Sequence, residues 1–122
     1  MKCILIAEDD AVTVRLLQHN LHRSNFKTLV CRDGTSVGKR MAAGKPDLAI
    51  LDLMLPGKSG FELIIEFKSD PELAEIPLVV VTGQGKETLR DELLAAGAAD
   101  VFTKPFSPTA LLACINRLIG EG

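Results

Sequence analysis

The strongest constraint in this chain is a set of short apolar runs with no polar alternation inside them. They occupy residues 3–7, 48–51 and 78–81, with weaker ones at 28–31 and 99–103. A strand with one face in water alternates apolar and polar residues, whereas an unbroken run needs cover on both faces, the condition of a parallel strand flanked by helices. Stretches of helical period separate the runs: Val14, Leu17 and Leu21 mark the first, Phe61, Ile64 and Ile65 the third, and Leu111, Leu112, Ile115, Leu118 and Ile119 the last. Punctuation agrees. Asp10 is placed to cap the first helix, Ser107 followed by Pro108 opens the last, and Gly44, Gly97 and Gly120 fall where helices stop. The second helix is the least regular, being interrupted by Gly38.

Five strand-helix units in succession predict an α/β fold, an open doubly wound parallel sheet with right-handed crossovers and five helices on its two faces. Of the common doubly wound orders, the flavodoxin-like 2-1-3-4-5 suits five strands. A chain of 122 residues supplies one core and not two, so residues 1–122 read as a single domain. Glu121 and Gly122 are expected to be a tail, past which the natural chain could continue.

Composition narrows the function. Hydrophobic residues at 47% and charged residues at 25% exclude disordered, collagen-like and membrane-embedded chains. A net charge of -2 leaves no basic footprint for direct nucleic-acid binding. Cys3, Cys31 and Cys114 are odd in number, widely spaced and set in apolar stretches, which is the pattern of packing residues and not of disulfides or metal ligands. His19 and His22 read as solvated surface residues on the first helix. With no leader-type apolar segment and no spanning run, no membrane association and a cytoplasmic location are expected.

In the predicted order, ligands bind beyond the carboxyl ends of the strands, at the switch between strands one and three. Strand one ends in Glu8, Asp9 and Asp10, strand three in Asp52, strand four in Thr82, and strand five in Lys104 and Pro105. Carboxylates crowded together repel one another unless a proton or cation sits among them. A hard divalent cation, Mg2+ or Mn2+ in its place, takes oxygen ligands of this kind, with Asp9 and Asp52 direct and Glu8 through water. Lys104 and Thr82, aimed at the same point, would clamp phosphoryl oxygens, and an aspartate can be the nucleophile. Taken singly, these residues have duller roles as helix caps, turn hydroxyls or solvated charges. Their convergence on one sheet edge favours the functional reading.

The matching stretches are Ile6-Ala7-Glu8-Asp9-Asp10, Asp47-Leu48-Ala49-Ile50-Leu51-Asp52-Leu53-Met54-Leu55-Pro56-Gly57, Ser59-Gly60-Phe61-Glu62-Leu63, Val81-Thr82 and Lys104-Pro105-Phe106. On them the whole chain resembles a response-regulator receiver domain of two-component phosphorelay signalling. The resemblance implies that Asp52 accepts a phosphoryl group from a histidine kinase or phosphotransfer protein. It implies that Asp9, Asp52 and the backbone carbonyl of Met54 hold magnesium, that Glu8 supports it through water, and that Thr82 and Lys104 bind the phosphoryl oxygens. A cis Lys104-Pro105 bond is expected to aim the lysine inward. No enzyme activity is expected beyond self-catalysed phosphotransfer and autodephosphorylation.

The output implied by the family is a changed surface on helix four, strand five and helix five, read by a downstream protein, an effector domain or a second copy. Phosphorylation adds roughly one and a half to two negative charges, enough to bias the loop at residues 82–86 and helix four. Helix five carries Ala110, Ala113, Asn116 and Arg117, a weakly charged outer face that fits docking as well as it fits plain solvation. One departure stands out: Val101 occupies the place where the family usually has Tyr or Phe, and Phe102 beside it must face the other way. Gly83 is the small residue expected after Thr82, while Met54 and Gln84 flank the path of attacking water and are expected to tune phosphate lifetime.

Rival readings are a receiver fold acting as a constitutive interaction module, an aspartyl-phosphate phosphohydrolase, and a flavodoxin-like cofactor binder. Val101 keeps the first open. The phosphohydrolase wants an acid two residues after its nucleophile, where Met54 stands. The cofactor binder wants a phosphate loop rich in small and hydroxyl residues, where Glu8, Asp9 and Asp10 would repel phosphate.

Overall fold

The computed structural model describes residues 1–83 and 87–120. Its elements run β1 (Cys3–Ala7), α1 (Ala11–Arg23), β2 (Lys27–Cys31), α2 (Gly34–Gly44), β3 (Leu48–Asp52), α3 (Gly60–Lys68), β4 (Leu78–Thr82), α4 (Glu87–Ala96), β5 (Asp100–Thr103) and α5 (Pro108–Ile119). All strand pairs are parallel, in the order β2-β1-β3-β4-β5. The unbroken apolar runs became strands for the reason they were unbroken: β3 and β4 are buried along their whole length, with a core on each side.

One core packs Leu5, Leu51, Leu78 and Val80 of the sheet against Val37 and Met41 of α2, Leu63, Ile64 and Phe67 of α3, and Leu93 of α4. The other packs Ile4, Ile6, Ile50 and Val79 against Leu17 and Leu21 of α1 and Leu111, Cys114 and Ile115 of α5. Each fully buried Leu or Ile contributes roughly 1.5–3 kcal/mol relative to exposure. Such layers hold the strand ends in fixed register.

Helix termini follow the sequence signals. Asp10 accepts from the Thr13 N–H, Ser59 and Glu62 form a reciprocal capping box, and Ser107 accepts from the Ala110 N–H just before Pro108. Gly97 (φ 126°) and Gly120 (φ 81°) take the positive φ values that only glycine adopts freely. Helix α2 stops at Gly44 as expected, and Lys45 takes the left-handed position after it (φ 39°). Gly38 does not interrupt α2. Ile65 points to solvent at 53% exposure; the buried stripe of α3 is Leu63, Ile64 and Phe67, which leaves Ile65 off its edge. Among the described residues no helix is long and apolar enough to cross a membrane, and all three cysteines are free thiols.

Candidate functional site

Strand register assembles the site. Ala7 pairs with Leu51, so the next residues, Glu8 and Asp52, stand at the same level on adjacent strands. Asp52 pairs with Val81 and Thr82 with Thr103, which sets Thr82 and then Lys104 one step further along the same edge. Glu8, Asp9 and Asp52 each bring a carboxylate oxygen to within 4.8 Å of the others.

Glu8 and Asp52 are buried, while Asp9 is exposed at the rim. The Glu8 carboxylate accepts from the Asp10 N–H (3.1 Å) and from the Lys104 ammonium (2.6 Å). One oxygen of Asp52 accepts from the Met54 N–H (3.2 Å), and the other lies 3.6 Å from the Lys104 Nζ. The Lys104 backbone N–H donates to the Thr82 carbonyl (2.8 Å), and the bond to Pro105 is cis, as expected. Thr82 is fully buried.

Burial pushes the Glu8 carboxyl up, and the charge of Asp52 adds to this, against the opposing hydrogen bonds from Lys104 and Asp10. For Lys104, burial acts to lower the ammonium, but the hydrogen bond to Glu8 and the charges of Asp52, Glu8 and Asp10 outweigh it, so the net shift is upward. The glutamate side chain is the deeper of the two, 3% exposed against 26% for the lysine.

Lys104 pairs with Glu8 and Asp52, so this cluster sets three carboxylates, those two and Asp9, against the one ammonium that pairs within it among the described residues. The excess of negative charge, the all-oxygen donor set and the open side at Asp9 fit a hard divalent cation.

The remaining sequence candidates fall around this centre. Met54 is 64% exposed at the rim, and Gly83 is exposed with open space where a Cβ would stand. Gln84 and the rest of residues 84–86 lie outside the described residues. Val101 is buried in the core shared with Leu78, Val80 and Leu93, whereas Phe102 packs on the opposite face, as strand alternation requires. His19 and His22 are both exposed, the latter against the Thr28 hydroxyl (3.0 Å).

Sequence reasoning missed an ion network joining α4, the start of β5 and α5. Arg90 of α4 donates to the Val101 carbonyl (2.6 Å) and pairs with Asp100 (3.1 Å), whose other oxygen lies 3.6 Å from Arg117 of α5. Its members come from three elements, and no local spacing signals it.

Residues 4–116 match the response regulator receiver domain family. The phosphate regulon transcriptional regulatory protein PhoB of Rhizobium meliloti (strain 1021) is 36% identical over 116 residues, 95% of this chain and 51% of that protein. The chain spans about half the length of the curated relatives it matches. Among solved structures, the signal receiver domain of a DNA binding response regulator protein (merR) from Colwellia psychrerythraea 34H superposes with a TM-score of 0.92 at 30% identity, covering 98% of both chains. The Mn(2+)-bound form of response regulator Rcp1 superposes with a TM-score of 0.80 at 29% identity, covering 98% of this chain and 91% of that one. A match of this extent, on a sheet whose order and acidic edge follow from the residues themselves, makes this chain a member of the response regulator receiver domain family.

Proposed function

We infer that this domain takes a phosphoryl group onto Asp52 from a histidine kinase or phosphotransfer protein, in a reaction that needs Mg2+ or Mn2+. Residues 1–122 act as one cytoplasmic receiver module, and its phosphorylated form presents an altered surface on α4, β5 and α5. The observation that carries this reading is the environment of Asp52. It is a buried carboxylate with one oxygen oriented by a backbone N–H and the other facing a lysine, next to further acids that need a cation.

The Met54 N–H fixes the rotation of the Asp52 carboxylate, leaving the oxygen nearer Lys104 to attack phosphorus. As the new O–P bond forms, the P–N bond to the donor imidazole breaks, and the departing nitrogen keeps the electron pair. Lys104 leaves Glu8 for a phosphoryl oxygen, and the Thr82 hydroxyl donates to another; both contacts exist only in the phosphorylated state. Asp9, Asp52 and the Met54 carbonyl would ligate the cation, with Glu8 acting through water. When bound, the cation supplies positive charge that lets these acids and a phosphoryl group share one site. The manganese-bound relative supports this assignment by analogy.

The new contacts of Lys104 and Thr82 bias the position of α4 relative to β5. A downstream protein, an effector domain or a second copy reads the result. Met54 and Gln84 tune phosphate lifetime, and Gly83 leaves the edge beside Thr82 open. Val101, already packed in the core, favours a second reading in which the surface binds its partner without phosphorylation.

Incubation with acetyl phosphate followed by intact-mass and phosphate-release analysis separates the two. The expected result is one labile phosphoryl group, gained with magnesium, lost without it, and absent in Asp52→Asn. No adduct and no phosphate release would favour the unphosphorylated module, and rapid sustained hydrolysis would favour a phosphatase.

A further inference from the structure

The loop at residues 53–59 carries Met54, and it rests on α2 through a glycine outside the acidic cluster. Gly34, the first residue of α2, is buried, and its N–H donates to the Pro56 carbonyl (2.8 Å). A Cβ on Gly34 would stand 2.2 Å from the Lys58 carbonyl oxygen, 2.6 Å from the Lys58 nitrogen and 2.7 Å from the Lys58 Cβ. Two of these atoms are backbone, so no side-chain rotation relieves the overlap, and any residue but glycine must push the loop away. Helix α2 does not yield easily. Its start is fixed by Asp33, which accepts from the Ser36 N–H (2.9 Å) and the Thr35 hydroxyl (2.6 Å), and Val37 and Met41 anchor it in the core.

The far end of the loop is held in the same way. Gly60 donates to the Leu53 carbonyl (2.9 Å), and a Cβ there would lie 2.9 Å from the Asp52 carbonyl oxygen. By contrast, Gly38, one turn along α2, has only the Glu66 carboxylate near its missing Cβ, at 3.5 Å. The two glycines share a helix but not a constraint.

We propose that Gly34 is a positioning residue for the acceptor site. By letting the loop backbone seat on α2, it holds the Met54 N–H on the Asp52 carboxylate, and with it the Met54 carbonyl that the proposed function assigns to the cation. This assignment rests on that reading of the site.

The test compares wild type, Gly34→Ala and Gly38→Ala, each checked for folding by circular dichroism, for magnesium affinity by calorimetry and for phosphorylation by acetyl phosphate at low and saturating magnesium. Gly34→Ala is expected to bind magnesium about ten-fold or more weakly, the scale of losing support behind a metal ligand. Its phosphorylation should be slow at low magnesium and recover at saturation, a rescue that a merely damaged fold would not show. Gly38→Ala should match wild type in both. A folded Gly34→Ala with wild-type affinity and rate overturns the proposal.

Amide hydrogen exchange on the wild type gives an answer even where Gly34→Ala does not fold. Saturating magnesium should slow exchange at the Gly34 N–H, because seating the loop and binding the cation are linked in both directions. An unchanged Gly34 rate overturns the proposal. Failure of the wild type to bind magnesium and take a phosphoryl group is a different outcome, which overturns the acceptor reading and this inference with it.

Discussion

Helices α3 and α4 flank the same sheet, yet they are attached to it very differently. The first buries Leu63, Ile64 and Phe67 and opens with a full capping box, tying the acceptor strand β3 to a dense core. The second buries Leu93 and is otherwise held by half-buried Leu89 and Leu94 and by the half-exposed Arg90, which reaches over to β5. The difference separates two tasks. Under the proposed function, phosphoryl transfer to Asp52 would need atoms held to fractions of an ångström, while a surface that responds to one added group would have to sit within a few kcal/mol of an alternative. Strong anchoring suits the acceptor side and light anchoring the readout side.

The contrast breaks most visibly on the α3 side. Phe67→Ala, which empties a site only 1% exposed, should lower unfolding free energy by about 3–5 kcal/mol in denaturant titration. A loss no larger than that of a surface substitution would mean that α3 is not the anchor.

Magnesium should stabilise the domain by about 2.7 kcal/mol at a hundred-fold excess over its dissociation constant, through relief of the acidic cluster, and thermal unfolding reads it. Magnesium-free, chelated protein should lack that gain, and Asp9→Asn should blunt it.

The next effect is a matter of pH. Glu8 has a folded pKa raised above its ordinary value, so folding takes up a proton there. Its contribution is most favourable below the ordinary glutamate range and is lost as pH rises through the raised value. Metal-free Glu8→Gln should therefore be more stable than wild type at neutral pH, with the gain fading on acidification. Asp10 and Asp33, held below the ordinary range by hydrogen bonds from Thr13 and from Thr35 and Ser36, act with the opposite sign. The wild-type-minus-variant difference isolates Glu8 from them.

The smallest effect belongs to the readout side. Arg90→Ala should cost about 1 kcal/mol or less, the scale of an exposed ion pair, but it should raise amide exchange in α4 selectively while leaving α3 unchanged. Uniform change across both helices would erase the distinction between them.

Much of this arrangement is legible in the sequence because it is local or periodic. The unbroken runs specify buried parallel strands, and strand ends in a known order place Glu8, Asp52, Thr82 and Lys104 on one edge. What was not legible depends on contacts between elements distant in sequence. Lys104 rests closer to Glu8 than to Asp52, and Glu8 is reached from a strand far away in sequence. The pairing of Arg90, Asp100 and Arg117 joins three elements. Ile65 looks like a core residue by type but falls off the edge of the buried stripe. Gly34 and Gly38 look alike in the sequence, and only the Lys58 backbone tells them apart.

The most direct test of the central claim is the amide NMR spectrum of the domain recorded with magnesium before and after addition of acetyl phosphate. The account predicts shifts at Asp52, Met54, Thr82 and Lys104 that extend into α4 and β5, leave the body of α1 quiet, and vanish in Asp52→Asn. An unchanged spectrum, or shifts that persist in Asp52→Asn, would contradict it.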